Sequence, residues 1–414
     1  MVEAMSPILA TVVLLGLLVG AAREAAPAKP EAHYAKSLET IEITADEAPV
    51  TIGETVLATV KKGRWFGLTA RVGDQFRIQF WGGRNLRFGW VRASDARLLT
   101  DKDVDLATEA LKLAKEFNPK LDATKCRAQV EELATRVAAA ASKATTPSDR
   151  ALQISVQLFR HEGFGYDFTP RTLDKVMEER CGNCLGLSLL YLCAAEKLNL
   201  PFRMLAVPHH ALIRYDDGKE QFNVEPSWGG WVFVDDAYMR RRYGPPEGIN
   251  WSMLNKPQTM TMLYSDVGAV LGIQKRHDEA VSAFVRAIEI NPNYGGAYLN
   301  WGNSLLALKQ FGQACDKFAR ATQIHPTFAE AYNNWGSALN SMGETQWACE
   351  KFATAIKCNP NLANSYYNLG MGQLRLGKRE EAVKNLEKAA QLVPRLRPLV
   401  DEALGRRPTK EETQ

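Results

Sequence analysis

Residues Arg180–Gly230 read RCGNCLGLSLLYLCAAEKLNLPFRMLAVPHHALIRYDDGKEQFNVEPSWGG. This stretch sets Cys184 at the start of an apolar helix, His210 at the start of a strand and Glu225 in the next strand. A thiol nucleophile needs a base beside it, and the base needs a third group that fixes its tautomer. The chain order therefore predicts a nucleophile, a base and an orienting carboxylate.

A helix of about fourteen residues is predicted to begin at Cys184, because LGLSLLYLCAAEKL places apolar residues on one helical face. The Gly-Asn pair before Cys184 marks the turn into this helix. A thiol at that position lies at the positive end of the helix dipole, which favours the thiolate. Cys193 falls deep in the same helix and is predicted to be a core residue.

Three strands, PFRMLAV, HALIRY and QFNVEPS, are predicted to form an antiparallel meander with the turn DDG between the last two. If the register allows, the side chains of His210 and Glu225 face one another across neighbouring strands. Alternation along a strand sends His209 to the opposite face, so that only one of the two histidines can meet Cys184. His210 is preferred, because HALIRY fixes its place on the strand.

Residues 101–160 are rich in helix-favouring sequence such as ALKLAKEF and EELATRVAAAASKA. Thr146 followed by Pro147 and Asp149 is a helix start signal. These helices are predicted to build the first half of a domain that spans residues 101–258.

Residues 41–100 carry short alternating runs of β-branched and aromatic residues with glycine turns, which predict four or five strands. The closing Gly-Trp-Val resembles the end of bacterial Src-homology-3-like barrels, which implies a small β-barrel. Nine Lys or Arg residues and two acidic residues lie between Lys61 and Arg97. One interpretation is a docking surface for an anionic or cell-wall polymer. The other is a small barrel with solvated arginines on its outer faces, which their alternation with apolar residues favours.

Residues 1–25 are predicted to be a signal peptide or anchor, since Ile8–Ala22 is an apolar run followed by small residues. This run is shorter than the ~20 residues that span a membrane. The segment before it holds Glu3 and no Lys or Arg, which is unusual for a secretory signal. Residues 26–40 form a predicted linker. We therefore expect an exported protein, periplasmic or extracellular. The alternatives are an uncleaved anchor, as the only membrane contact, and an incidental apolar start.

From residue 261 the sequence repeats with a period of 34 residues. The recurring positions include Tyr264, Tyr298, Tyr332 and Tyr366; Gly268, Gly302, Gly336 and Gly370; and Pro292, Pro326, Pro360 and Pro394. A helix–turn–helix of this length, with small residues at close crossings and Pro at its end, is the tetratricopeptide pattern. The predicted units are residues 261–294, 295–328, 329–362 and 363–396. Residues 397–414 are predicted to be a capping helix and a tail.

Asn300, Asn334 and Asn368 recur at one position of the first helix of each unit. In tetratricopeptide proteins this position faces the concave groove, where an amide can pair with an extended peptide backbone. We therefore predict that the groove binds a protein or peptide partner through these three residues. The alternative is that Asn is simply common at this position.

The motifs GNCLGLSLLYL, VPHHALIRYDDG and FNVEPSWGG resemble the transglutaminase-like, papain-related superfamily, and more narrowly bacterial transglutaminase-like proteins that carry tetratricopeptide repeats. The resemblance covers residues 150–250, and the repeats extend it to the C-terminus. It implies an α+β cysteine-protease fold in which Cys184 is the nucleophile, His210 the base and Glu225 the orienter. The chain departs from the superfamily pattern twice. Glu225 stands where Asp is usual, and Cys181 adds a second thiol.

The implied chemistry is acyl transfer through a thioester, in which Cys184 attacks a glutamine or peptide amide. The acyl group then passes to water, as in a peptidase or amidase, or to another amine, as in a cross-link. No cofactor is implied. The expected fold class is multi-domain: a small all-β barrel, an α+β transglutaminase-like domain and an all-α tetratricopeptide superhelix.

Two other functions are compatible with parts of the sequence. Cys181 and Cys184 form a C-x-x-C at a helix start, as in dithiol redox proteins. The repeats can also act alone, as an adaptor with a degenerate transglutaminase-like domain. A zinc site of these two cysteines with His209 and His210 is disfavoured, because adjacent strand histidines point to opposite faces. A net charge of only +4 over 414 residues argues against nucleic-acid binding.

Overall fold

The computed structural model describes residues 39–82, 85–207, 210–234 and 252–406. The predicted signal segment, nearly all of the predicted linker, His209 and the end of the predicted tail lie outside these ranges.

An antiparallel sheet forms the first domain. Its strands are β1 Thr40–Ile43, β2 Glu47–Ile52, β3 Thr55–Lys61, β4 Trp65–Val72, β5 Gln75–Gly82, β6 Asn85–Arg92 and β7 Ala96–Leu99. The spatial order is β3-β2-β6-β5-β4-β1-β7. The strands predicted from the alternating runs are present as β3 to β6. The described residues add three that the sequence analysis did not specify, β1, β2 and β7. Ile41, Phe66 and Ile78 from three of the strands are fully buried in one core.

Helices make up the first half of the second domain. They are α1 Leu106–Phe117, α2 Ala123–Ala141, α3 Pro147–Ser155, α4 Leu173–Glu179 and α5 Cys184–Lys197, with a π-helical turn Val156–His161 after α3. The predicted start of α3 is confirmed, because the Thr146 hydroxyl accepts the Asp149 N–H at 3.1 Å and Pro147 occupies the first turn. Helix α5 has the predicted start and length, and every residue from Leu185 to Leu192 is buried. It is therefore the central helix of this domain.

A second antiparallel sheet covers α5. Its strands are β10 Phe202–Val207, β11 His210–Asp216, β12 Gln221–Glu225, β13 Trp231–Val234 and β14 Ser252–Leu254, in the order β13-β12-β11-β10-β14. The predicted meander of three strands is confirmed, and one further strand extends each edge of it. Two short parallel strands, β8 Gly165–Tyr166 and β9 Cys181–Gly182, lie just before α5.

The C-terminal part is a series of helix pairs. They are α6 Lys256–Ile273 with α7 His277–Ile290, α8 Gly295–Ala307 with α9 Phe311–Ile324, α10 Ala329–Ser341 with α11 Thr345–Cys358, and α12 Ala363–Arg375 with α13 Arg379–Leu392. The recurring glycines have a steric reason. A Cβ added at Gly302 would lie 2.5 Å from the Phe318 ring, and one at Gly336 would lie 2.6 Å from the Phe352 ring. Only glycine lets the paired helices approach this closely.

The predicted capping helix is present as α14 Arg397–Leu404. It buries Val400 and Leu404 against Leu386 and Ala390 of α13, which covers the open face of the last pair. Among the described residues, every helix is too short or too polar to cross a lipid bilayer.

The three parts pack against one another. The core of the second domain continues without a break into that of the first two helix pairs. The Arg276 guanidinium of the repeats donates to the Phe117 carbonyl at 3.2 Å. The sheet domain meets the repeats through an ion pair between Arg64 and Glu289, whose side chain is only 3% exposed. The repeat array is therefore docked on both preceding domains.

Candidate active site

Cys184 is the first residue of α5, and Asn183 is its N-cap. The Asn183 Oδ1 accepts the Gly186 N–H at 2.9 Å. A Cβ added at Gly186 would lie 2.7 Å from Val176, and one at Gly182 would lie 3.1 Å from it. Glycines on both sides of Cys184 therefore let α4 pack tightly against the helix start. The first backbone N–H groups of a helix have no acceptor within it. In α5 these groups face the end of the helix that carries the Cys184 thiol.

The structure brings His210 and Glu225 together. Their side chains meet at 2.7 Å, between His210 Nε2 and Glu225 Oε2. The register pairs Ile213 with Val224, and its continuation sets Leu212 opposite Glu225. His210 is therefore a diagonal neighbour of Glu225 on the same face of the sheet, within reach of a long side chain.

The His210 imidazole also hydrogen-bonds to Cys184, which places it between the thiol and the carboxylate. Nε2 is the ring nitrogen that contacts Glu225. Burial alone would lower the pKa of His210, but its hydrogen bonds to Cys184 and Glu225 and their negative charges raise it from 6.5 to about 9. The imidazole therefore keeps both protons at neutral pH and carries a positive charge beside the thiol.

Glu225 is held as an anion. It is 1% exposed, and burial by itself would raise the pKa of its carboxyl group. The hydrogen bond and charge of His210, with hydrogen bonds from Ser227, lower this pKa instead. The Ser227 N–H and hydroxyl donate to Oε1 at 3.1 and 2.5 Å, so that Oε2 is directed at the imidazole. Glu225 therefore presents one carboxylate oxygen to Ser227 and the other to His210.

Tyr166, which the sequence analysis missed, lies beside this group. Burial and the charges of Cys184 and Glu225 raise the pKa of its phenol to about 12, so it stays protonated. Its ring makes an edge-on contact with Phe168 at 5.1 Å between centroids, and Phe168 is 86% exposed. The two rings form an apolar rim, and its Tyr166 end lies near the thiol. The parallel pairing of Gly165 with Cys181 places Tyr166 beside the start of α5.

The other candidate residues are placed differently. Cys181 is half-buried on β9, and Cys193 is packed against the core, where burial raises the pKa of its thiol to about 12. His209, a member of the hypothetical zinc set, lies outside the described residues. Within the described ranges, no group of three or more His, Cys, Asp or Glu side chains is arranged to hold a metal ion.

Two of the predicted groove residues, Asn334 and Asn368, belong to a chain of amide hydrogen bonds between successive first helices. Asn334 donates to Asn303 at 2.7 Å and accepts from Asn333 at 3.0 Å. Asn368 donates to Asn333 at 3.1 Å. Asn300 is half-buried on α8. These amide hydrogen bonds therefore connect neighbouring repeats. A peptide backbone could bind the same amides only by replacing these hydrogen bonds.

The basic side chains of the first domain are largely engaged within the chain. Arg77 stacks over Phe88 at 4.6 Å, Arg97 pairs with Glu42 at 2.8 Å, and Arg64 is committed to the repeats. The two interpretations, a docking surface for an anionic or cell-wall polymer and a small barrel with solvated arginines on its outer faces, both stay predictions.

Comparison with known proteins identifies two parts of the chain. Residues 124–253 match the transglutaminase-like superfamily. Residues 263–294 and 363–395 match the tetratricopeptide repeat. The chain therefore contains a transglutaminase-like domain followed by tetratricopeptide repeats, as the sequence analysis expected. No curated protein matches the chain.

Several solved structures are each similar to about a third of the chain. One is a MamA protein, at 26% identity with a TM-score of 0.32 over 35% of this chain and 83% of that one. Another is pilF of Pseudomonas aeruginosa, at 20% identity with a TM-score of 0.34 over 36% and 67%. A third is the first tetratricopeptide domain of Spaghetti (RPAP3) bound to an HSP90 peptide, at 18% identity with a TM-score of 0.29 over 29% and 95%.

Proposed function

We propose that this protein is a cysteine-dependent acyl-transfer enzyme whose repeats bind a protein or peptide. The observation that carries the proposal is the contact of one imidazole, His210, with both Cys184 and Glu225. A nucleophile, a base and a group that orients the base are the minimum that this chemistry requires. A buried carboxylate held by Ser227 is a costly feature for a domain that only supports repeats.

The proposed acyl transfer uses a Cys184 thiolate and a His210 imidazolium. The Cys184 thiolate adds to the carbonyl carbon of an amide, and the resulting oxyanion is stabilised by backbone N–H groups at the start of α5. The His210 imidazolium gives a ring proton to the departing amine as the C–N bond breaks, which leaves a thioester. His210 then takes a proton from water or from a second amine, which attacks the thioester and releases the thiolate. Water gives hydrolysis, and an amine gives a cross-link.

The surrounding parts suggest how a substrate arrives. The repeats are proposed to bring a protein or peptide to the thiol, since they share one core with the transglutaminase-like domain. The apolar rim of Tyr166 and Phe168 would contact the substrate near the attacked amide. We further propose that the first domain is a Src-homology-3-like barrel able to contact an anionic or cell-wall polymer. We also propose, from the apolar run Ile8–Ala22, that the protein is exported.

The test is labelling with a thiol-directed electrophile across pH. We expect Cys184 to be labelled much faster at pH 7 than an ordinary thiol, whose pKa is about 8.5, and His210→Ala to remove this advantage. Cys181→Ser is the matched control, because Cys181 is also half-buried and lies three residues away. It should leave the rate of Cys184 labelling unchanged. If Cys184 reacts as slowly as a free thiol and is indifferent to His210→Ala, the enzyme proposal is wrong and the adaptor remains.

A further inference from the structure

The side chain of Asn183 joins the transglutaminase-like domain to the first repeat. While its Oδ1 caps α5 through the Gly186 N–H at 2.9 Å, its Nδ2 donates to Asp266 Oδ1, also at 2.9 Å. Asp266 belongs to α6, the first helix of the repeat array. Asn183 is only 7% exposed and Asp266 is half-buried, so the Asn183 amide is largely shielded from water. One amide therefore connects the helix that presents Cys184 to a repeat more than eighty residues away.

We infer that Asp266 is a positioning residue of the active site, which orients the Asn183 amide so that it caps α5 and fixes the thiol at the start of that helix. This inference rests on the proposed acyl-transfer function. The repeats would then be part of the enzyme's catalytic unit as well as the means of recruiting a partner.

The chemistry of the amide gives the reason. The oxygen of an Asn side chain can only accept, and its nitrogen can only donate. The Asp266 oxygen attracts the nitrogen, and this leaves the Asn183 oxygen for the Gly186 N–H. Without Asp266 the amide nitrogen would lose its acceptor in a poorly hydrated place, and the preference for the capping orientation would weaken.

Packing makes the start of α5 sensitive to this bond. A Cβ added at Gly186 would lie 2.7 Å from Val176 of α4 and 3.4 Å from the Asn183 Oδ1. Gly186, Arg171, which lies just before α4, and Leu263 and Asp266 of α6 line one small pocket. The first turn of α5 is thus enclosed by other elements, and a change in its cap is transmitted to Cys184.

The charges around Asp266 are compatible with this role. Burial raises the pKa of the Asp266 carboxyl group to about 7, although the hydrogen bond from Asn183 lowers it. Ionised or neutral, the Asp266 carboxyl group keeps an oxygen that can accept from the Asn183 amide. Tyr294, the N-cap of α8, lies near Asp266 and Cys184, and burial and the charges of these two groups raise the pKa of its phenol. It therefore stays neutral.

The test compares Asp266→Ala with Asp266→Asn in the full chain. Asp278→Ala is the matched control, since it removes an exposed aspartate of α7 in the same repeat. The two readouts are the rate of Cys184 labelling by iodoacetamide at pH 7 and the exchange rate of the Gly186 amide hydrogen. We expect Asp266→Ala to slow labelling about five- to tenfold and to speed amide exchange by a similar factor. Asp266→Asn keeps an acceptor oxygen, so it should retain most of the wild-type behaviour.

A second set of variants tests the same hydrogen bond without truncating the Asp266 side chain. Asn183→Asp keeps a capping oxygen but sets two carboxyl groups against each other, so labelling should slow. Adding Asp266→Asn reverses the direction of the hydrogen bond and should restore most of the loss. The double variant thus measures the coupling of the two side chains, even if Asp266→Ala does not fold.

Three results would overturn the inference. They are equal behaviour of Asp266→Ala and Asp278→Ala in both readouts, an equal loss in Asp266→Asn and Asp266→Ala, and a double variant that restores nothing. Failure of the proposed function looks different, because Cys184 would then be slow in the wild type and indifferent to His210→Ala. Amide exchange at Gly186 would in that case still decide whether Asp266 holds the cap.

Discussion

Replacing Glu225 by Gln should lower the pKa of His210 and slow the reaction of Cys184. The two side chains meet at 2.7 Å, and that of Glu225 is 2% exposed. Gln keeps the length of the side chain and one acceptor oxygen, which Ser227 or His210 can still use. It removes the negative charge, so the variant isolates the electrostatic part of the contact.

The size of the effect follows from the pKa of His210. Its rise from 6.5 to about 9 corresponds to roughly 3 kcal/mol in favour of the imidazolium, at about 1.36 kcal/mol for each pKa unit. Cys184 and Glu225 together supply this stabilisation against the cost of burial. If Glu225 contributes half, its loss costs about 1.5 kcal/mol, which is about a tenfold change in an equilibrium constant.

The assay is a nuclear magnetic resonance titration of the His210 ring, combined with the rate of Cys184 labelling at pH 7. We expect the His210 midpoint to move from about 9 toward 6.5 and labelling to slow about tenfold. Glu220→Gln is the control, because Glu220 lies in the turn between β11 and β12, near the opposite ends of those strands. A His210 midpoint that is the same in Glu225→Gln and wild type would refute the reasoning.

Two predictions concern the free energy of unfolding, which chemical denaturation measures. Gly302→Ala should lower the free energy of unfolding by about 1–3 kcal/mol, because its Cβ would lie 2.5 Å from the Phe318 ring. Gly312→Ala, with nothing within 4 Å of the added Cβ, should be neutral or stabilising by up to about 1 kcal/mol, and equal effects of the two would contradict the steric explanation. Arg64→Ala should lower the free energy of unfolding by about 2–3 kcal/mol, because it leaves the Glu289 carboxylate buried without the Arg64 cation. It should also make the contact between the sheet domain and the repeats more accessible to proteases. Unchanged stability and protease resistance would show that this ion pair does not hold the domains together.

Local patterns in the sequence already determined much of the architecture. The 34-residue period gave the helix pairs, because each repeat buries the same small and aromatic residues against its neighbours. The apolar run after Gly182-Asn183 predicted the start of α5. The alternation of apolar and polar residues predicted the three-strand meander. Each of these signals depends on residues close together in the chain, and such residues obey the helical or strand period whatever the rest of the fold does.

Contacts between distant segments were decided only in three dimensions. The sequence allowed His210 and Glu225 to meet but could not set the register, which makes them diagonal neighbours. It gave no sign of Tyr166, whose position depends on a two-residue strand pair.

The sequence likewise gave no sign that Asp266 of a repeat would reach the cap of the helix that carries Cys184. The physical reason is that register and docking depend on how whole surfaces fit together. No short stretch of residues encodes that fit, and the same local patterns are compatible with several arrangements.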